Sequence, residues 1–275
     1  MESAFQVSFV PPLSTNGFNC GQYTNNFSLN LLAGTSKNEK AFTLGGIANI
    51  INNDANGFQT AGLFNYIGNN GKGFALSGLA NISKNDYSGF QLAGLVNVAG
   101  NVKGVQMAGL LNIADKSDYP IGLVNIIKQG EFSVAATYDG TGSSLITFRS
   151  GSKVTYGIVG VGFNHKTRGD EFVLSGGLGA HINICDMFRI NNELTGETIG
   201  VTDGDNTFKI SYALLPAFRP VKHFEIFAGP AITYMQSEDI LNKDIFPSNS
   251  LWKSYGSSRL KQLFIGYRLG IQYIF

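Results

Sequence analysis

Chemistry in this sequence has few side chains to start from. There are three histidines, His165, His181 and His223, and two cysteines, Cys20 and Cys185. A hydrolase needs a histidine beside a Ser or Asp nucleophile system. Of the three, only His165 falls in a predicted long loop; His181 and His223 sit by short turns. The neighbours of His165 are Thr167, Arg168 and Asp170, which is ordinary loop composition, and no enzyme, catalytic residue or cofactor is expected. The cysteines match no metal-ligand spacing, are too few for a disulfide framework, and fall far apart in the expected topology, so no bond between them is predicted. Pairs such as Gly176-Gly177 lie inside strand patterns, not between a strand and a helix, so a phosphate-cradling loop is excluded in favour of close packing.

The charged residues that stand out are those interrupting apolar alternation in the C-terminal half: Arg189 and Glu193, then Lys209, then Glu225, then Arg268. Phe188-Arg189-Ile190 and Phe208-Lys209-Ile210 show the pattern. Such a residue faces the opposite side from its neighbours in a strand. If the neighbours met lipid and the charge did too, the cost near the bilayer midplane would be about 2–4 kcal/mol. These five are therefore expected to point into an enclosed lumen, where a mutually neutralising network is favoured over a pore lining.

Composition says what must position them. Charged residues make up 14% of the 275, well under the roughly 25% of soluble domains. Glycine (35) and aromatics (12%) are abundant, and mean hydropathy is nearly neutral at +0.04. No apolar run approaches the roughly 18 residues a membrane helix needs. A membrane barrel evades hydropathy because lipid-facing and lumen-facing residues alternate. Twenty basic residues against nineteen acidic, a net charge of +1, leave no footprint for nucleic acid.

A sixteen-residue repeat dominates the N-terminal half: AFTLGGIANI from Ala41, GFQTAGLFNY from Gly57, GFALSGLANI from Gly73, GFQLAGLVNV from Gly89 and GVQMAGLLNI from Gly104. Phe90, Leu92, Gly94, Val96 and Val98 share one face; Gln91, Ala93, Leu95, Asn97 and Ala99 share the other. The period is two, so these are strands. Between Ala41 and Ala114 every charge lies in a connection (Asp54, Lys72, Lys84, Asp86, Lys103). Each repeat thus reads as one uncharged strand of membrane-spanning length, about 9–11 residues. The consensus is nearly palindromic about its central glycine, which suits antiparallel neighbours with Gln opposite Asn. The rival reading is a parallel solenoid with Asn49, Asn65, Asn81, Asn97 and Asn112 stacked as a ladder, followed by a smaller, eight-stranded barrel.

Beyond the repeats, strands are expected near 131–138, 143–150, 153–164, 170–183, 187–196, 207–218, 221–235 and 260–275, with short and long connections alternating. The last of these sets Leu263, Ile265, Tyr267, Leu269, Ile271, Tyr273 and Phe275 in strict alternation. It resembles the terminal strand by which outer-membrane barrels are passed to the barrel-assembly machinery, with Leu269, Ile271, Tyr273 and Phe275 as the signal. The long stretch from Gln236 to Ser258 carries Phe246, Leu251, Trp252 and Tyr255, a candidate partner-binding loop. The expectation is one all-β domain over 1–275, an antiparallel transmembrane barrel of about sixteen strands. In it 27–127 supply the repeat strands and 128–275 the remainder, placing Cys20 in an outer loop.

The G-F-Q-L-A-G-L-x-N repeat, the opening QVSFVPPLSTNG and the closing IGYRLGIQYIF together resemble a family of surface-repeat outer-membrane proteins of Bacteroidota and spirochaetes. That resemblance implies a cell outer-membrane location in a Gram-negative bacterium, with a signal peptide removed, and a porin-like or structural role. The alternative is a surface or accessory subunit of an outer-membrane complex. It carries no catalytic residues with it.

Overall fold

The computed structural model describes residues 1–167, 169–200, 207–237, 245–256 and 259–275. The chain is all-β and divides into two compact units, Met1–Gly130 and Glu131–Phe275. This corrects the single large barrel: the repeats do not join the barrel wall, and the solenoid with a smaller barrel is the architecture found.

In the first unit each repeat is broken at its centre into two strands that face one another as parallel stacks. One stack comprises β1 (Glu2–Val10), β3 (Thr24–Asn30), β5 (Asn38–Gly45), β7 (Ala55–Ala61), β9 (Gly71–Ser77), β11 (Tyr87–Ala93), β13 (Asn101–Ala108) and β15 (Lys116–Ile121), with the short β2 (Leu13–Ser14) antiparallel on β1. The other comprises β4 (Ala33–Ser36), β6 (Ala48–Ile51), β8 (Phe64–Ile67), β10 (Ala80–Ser83), β12 (Val96–Val98), β14 (Leu111–Ala114) and β16 (Val124–Ile127). The central Gly-Leu pair, read from sequence as the middle of a strand, is the corner. A side chain on Gly78 or Gly94 would lie 2.1 Å from the carbonyl oxygen of the glycine one coil earlier, so successive corners can nest only without a Cβ.

Parallel stacking puts like on like. Asn65 pairs with Asn81, and Phe74 with Phe90, so identical side chains meet once per coil. Phe42, Phe58, Phe74 and Phe90 form a stacked column on the outer surface, with ring centroids 5.6, 5.1 and 5.0 Å apart. Inside, Asn30, Asn49, Asn65, Asn81, Asn97, Asn112 and Asn125 form an amide ladder in which each Nδ2 donates to the next Oδ1 at 2.8–3.0 Å. From Asn49 to Asn97 the second N–H of each amide donates to a backbone carbonyl one coil on, at 2.7–2.8 Å. The ladder's asparagine amides are thereby satisfied, as a dry interior favours. Small and β-branched residues, among them Ile51, Ala55, Ile67, Ala75 and Val102, fill the remainder.

The second unit is a closed antiparallel barrel of eight strands: β17 (Glu131–Asp139), β18 (Ser143–Gly151), β19 (Thr155–Asn164), β20 (Glu171–Cys185), β21 (Phe188–Ile199), β22 (Thr207–Val221), β23 (Phe224–Ser237) and β25 (Leu260–Ile274), which pairs back onto β17. The short β24 (Trp252–Tyr255) adds to the free edge of β25. Short turns at 152–154, 186–187 and 222–223 mark one end, and the short turn 140–142 together with the longer connections after β19, β21 and β23 marks the other.

Alternation of buried with more exposed residues is complete along β21 and nearly so along β22, and looser along the glycine-rich β20. In β22 exposure flips at every residue from Thr207 to Phe218. Phe208, Ile210, Tyr212 and Leu214 face outward with Ile226, Ile232, Ile265 and Leu269 on neighbouring strands, each about 40–60% exposed. An apolar belt of this extent, with polar residues turned inside, inverts the order of a water-soluble barrel.

Candidate functional site: the ion lattice of the barrel interior

The inward residue of each strand is fixed by parity, and the barrel's small bore brings these residues into contact. Arg189, Glu193, Lys209, Glu225 and Arg268 all point inward and are at most 6% exposed. They do not stand alone. Glu193 accepts from Arg149 Nη2 at 2.9 Å and from the Tyr156 hydroxyl at 3.0 Å, with Arg268 Nη1 at 3.6 Å. Glu197 accepts from Arg268 Nη2 at 2.8 Å and forms an ion pair with Lys209 Nζ at 2.6 Å, and the same ammonium also pairs with Asp139. Nearer the short-turn end, Arg189 bridges Glu225 at 2.7 Å and Glu131 at 2.8 Å, joined by Arg219. Five cations thus meet five carboxylates: Arg149, Arg189, Lys209, Arg219 and Arg268 against Glu131, Asp139, Glu193, Glu197 and Glu225.

Glu131, Asp139, Arg149, Glu197 and Arg219 are members that sequence reasoning passed over. Parity would have found two of them: Glu197 lies four residues after Glu193 on the same strand, and Arg149 sits between Phe148 and Ser150 within an alternating run.

Two observations determine what this interior can do. Its central charges are nearly inaccessible, with Lys209, Glu193 and Glu197 at 1% and Glu225 at 0% exposure, so water does not line them. At the long-loop end Met235, Leu260 and Phe264 turn inward and meet Ile245 and Phe246 in an apolar plug. The short-turn end opens as a cavity of about 370 Å³ whose lining includes Glu131, Lys153, Arg189, Arg219 and Glu225. The charges hold one another, and the bore is filled.

The other singled-out residues fall as follows. Leu269, Ile271, Tyr273 and Phe275 lie in one outward row of the last strand, 42–70% exposed. Phe246 is not displayed for a partner: it is 9% exposed inside the plug, because an inward apolar cluster was open at that end of the barrel. Trp252 is 48% exposed on β24, and Tyr255 ends that strand. Residues 238–244 and 257–258 of that stretch, and Arg168 beside His165, lie outside the described residues. Cys185 is exposed at the end of β20, whereas Cys20 is buried in the short 3-10 helix Gly17–Gln22 of the first unit, not in a barrel loop; both thiols are free. His181 is buried, its Nδ1 2.7 Å from Asn191 Oδ1, and His223 Nδ1 lies 2.8 Å from the Ile274 carbonyl. His165 stands at the long-loop end with Ser144 and Asp170 as partners. Among the described residues no group of three or more His, Cys, Asp or Glu side chains is placed to hold a metal ion, and no helix is long and apolar enough to cross a membrane.

No protein-family model matches the chain, and no curated protein does. Among solved structures, a chain from a study of de novo designed transmembrane β-barrels is similar over 53% of this chain and 93% of its own length, at 14% identity and a TM-score of 0.30. So distant a likeness has no bearing on function.

Proposed function

We propose that the chain is an integral outer-membrane protein of a Gram-negative bacterium. In this reading the eight-stranded barrel is a sealed lipid-embedded anchor and the solenoid is the module it carries. The supporting observation is the outward belt from Phe208 to Leu214 and its neighbours on a closed barrel: strand pairing runs the whole way round, β25 back onto β17, so neighbouring strands supply the backbone hydrogen bonds that hydrocarbon cannot. The outward row Leu269, Ile271, Tyr273 and Phe275 supports delivery by the barrel-assembly machinery. The repeat motif supports membership of the surface-repeat family.

Of the porin-like and structural roles, the filled bore favours the structural one. An open pore would leave Lys209 and Glu197 wetted. A partner held by the loop aromatics has less support, since Phe246 is spent on sealing the barrel. The full chain refolded in detergent should run as a compact band on a gel until boiled, float with lipid vesicles, and give no steady conductance in a planar bilayer. Sedimentation away from vesicles would sink the membrane reading; a stable ion-selective current would sink the sealed bore. Deleting Phe275 should lower the assembled fraction in cells.

A further inference from the structure

At the long-loop rim the pairing of β17 to β20 sets four outward side chains in one row, Tyr138 beside Ser144, Ser144 beside Phe163, Phe163 beside Phe172. Directly above that row the loop after β19 turns back on itself. His165 Nε2 lies 3.0 Å from Ser144 Oγ, and His165 Nδ1 lies 3.2 Å from Asp170 Oδ1. These are nucleophile-to-base and base-to-orienter distances within hydrogen-bond reach.

The loop is braced to hold them. The His165 N–H donates to the Gly142 carbonyl at 3.0 Å, the Thr167 hydroxyl donates to the Asn164 carbonyl at 2.8 Å, and the Glu171 N–H donates to Thr167 Oγ1 at 2.9 Å. Asp170 sits at φ 49°, the one non-glycine residue with positive φ among the described residues. Non-glycine residues held in that region gather at functional sites.

Ser144 also lines a groove of about 710 Å³ on the barrel's outer wall, walled by Ala136, Ile146, Val161, Phe172, Ile226 and Leu269. Its volume lies within the ~300–1,000 Å³ of small-molecule sites, and its lining is almost wholly apolar.

We infer that Ser144, His165 and Asp170 form the site of an esterase that acts on an acyl ester of a membrane lipid, the acyl chain lying in this outer groove. The chemistry needs only water besides the lipid. Ser144 Oγ attacks the ester carbonyl while His165 Nε2 takes its proton, and Asp170 holds the resulting imidazolium. The bond between the acyl carbonyl carbon and the ester oxygen breaks, the deacylated lipid leaves as an alcohol that recovers that proton from His165, and the chain remains as an ester on Ser144. Water, admitted because His165 is half-exposed, then attacks with its proton going to His165, releasing the fatty acid and restoring the serine. No sign of catalysis is legible in the sequence, because Ser144 stands 21 residues before its histidine and only strand pairing joins them.

This inference rests on the membrane reading for its lipid, but not for its triad. The full chain in mixed micelles should release fatty acid from phosphatidylethanolamine, from lipopolysaccharide, or from both, which identifies the headgroup class; release from neither overturns the lipid assignment. Ser144→Ala and His165→Ala should each lower the rate by about 10³-fold or more while keeping the heat-modifiable band. Asp170→Asn should lower kcat with KM unchanged within twofold, the split expected of a residue acting through His165. A fluorophosphonate should add its mass to the Ser144 peptide. Hydrolysis of dispersed p-nitrophenyl butyrate reports on the triad even if the chain fails to float with vesicles. An unlabelled Ser144, or an alanine variant within twofold of wild type, would overturn the proposal.

Discussion

The solenoid and the barrel are written in the same alternation of apolar and polar residues, and they bury opposite kinds of polar group. Stacking identical coils forces each inward residue against its own copy. An asparagine tolerates that, because its amide donates on one side and accepts on the other, and the ladder from Asn30 to Asn125 uses both. A carboxylate or an ammonium stacked on itself would repel. The charges of the sixteen-residue repeats accordingly stay out of the stacked interior: Asp54 and Asp86 lie in connections, and Lys72 and Lys103, which the structure places at the starts of β9 and β13 and not in turns, are exposed. The antiparallel barrel has no repeat to obey, so a residue meets unlike partners across the bore, and Glu197 finds both Lys209 and Arg268. Sequence identity between neighbours thus selects the chemistry of the interior.

The sharpest way to break this contrast is to remove one member from the lattice. Burying an ion pair gains little over an apolar core, but stripping one partner leaves a charge uncompensated at about 3–5 kcal/mol. Glu197→Ala, which takes one carboxylate partner from each of two buried cations, should therefore lower the barrel's urea midpoint strongly, read as loss of the compact gel band, while far-UV dichroism of the solenoid persists at the same urea. A midpoint shift under about 1 kcal/mol would mean that water enters the bore and screens the charges.

The two exteriors can be compared next. Leu214 on the barrel wall and Leu79 on a solenoid corner are about equally exposed, at 41% and 39%. In a bilayer Leu214→Lys should cost about 2–4 kcal/mol, because the wall faces hydrocarbon near midplane. Leu79→Lys in water should fall within about 0.5 kcal/mol. Equal penalties would show that the solenoid surface also lies in lipid.

Much of the barrel was legible from parity alone. Strands read at 143–150 and 260–275 are found at Ser143–Gly151 and Leu260–Ile274. What failed was the topology of the repeats. Alternation says which residues share a face but is silent on whether the next strand runs parallel, and the palindrome about Gly-Leu suited an antiparallel partner. The corner was there to be read: Gly78 and Gly94 recur where a chain must turn beneath a neighbouring carbonyl. Long-range juxtapositions were not legible at all. Nothing in HKTRGD points to Ser144, and nothing near Phe246 says that Met235 and Phe264 leave it room.

The ladder itself offers a smaller test. Asn81 donates to Asn97 at 3.0 Å and to the Leu92 carbonyl at 2.8 Å, and accepts from Asn65 at 2.9 Å. Asn81→Ala leaves those groups without their amide partner in a dry interior, and each orphan costs about 1–3 kcal/mol. The solenoid should lose stability cooperatively along its length, because every coil rests only on its neighbours, whereas the barrel's gel shift should not change. Hydrogen exchange confined to the coil of Asn81 would argue against such coupling.

The one place where the solenoid buries an unpaired charge is near its start, and it yields the weakest and most specific prediction. Glu39 is 1% exposed and is held by Ser28 Oγ at 2.8 Å and Asn25 Nδ2 at 3.2 Å, with no cation beside it among the described residues. Burial raises its carboxyl above the ordinary value of 4.5, against the hydrogen bonds, chiefly from Ser28, that favour the anion. The folded solenoid therefore prefers the protonated acid. Stability from this group is fully present below the unfolded carboxyl's range and is lost as pH rises through the folded one. Glu39→Gln keeps the shape and removes the charge, so at pH 7 it should melt slightly above wild type, with the two converging as pH falls toward 4. A variant less stable than wild type at pH 7 would mean that the anion is compensated, and that this end of the solenoid follows the barrel's rule and not its own.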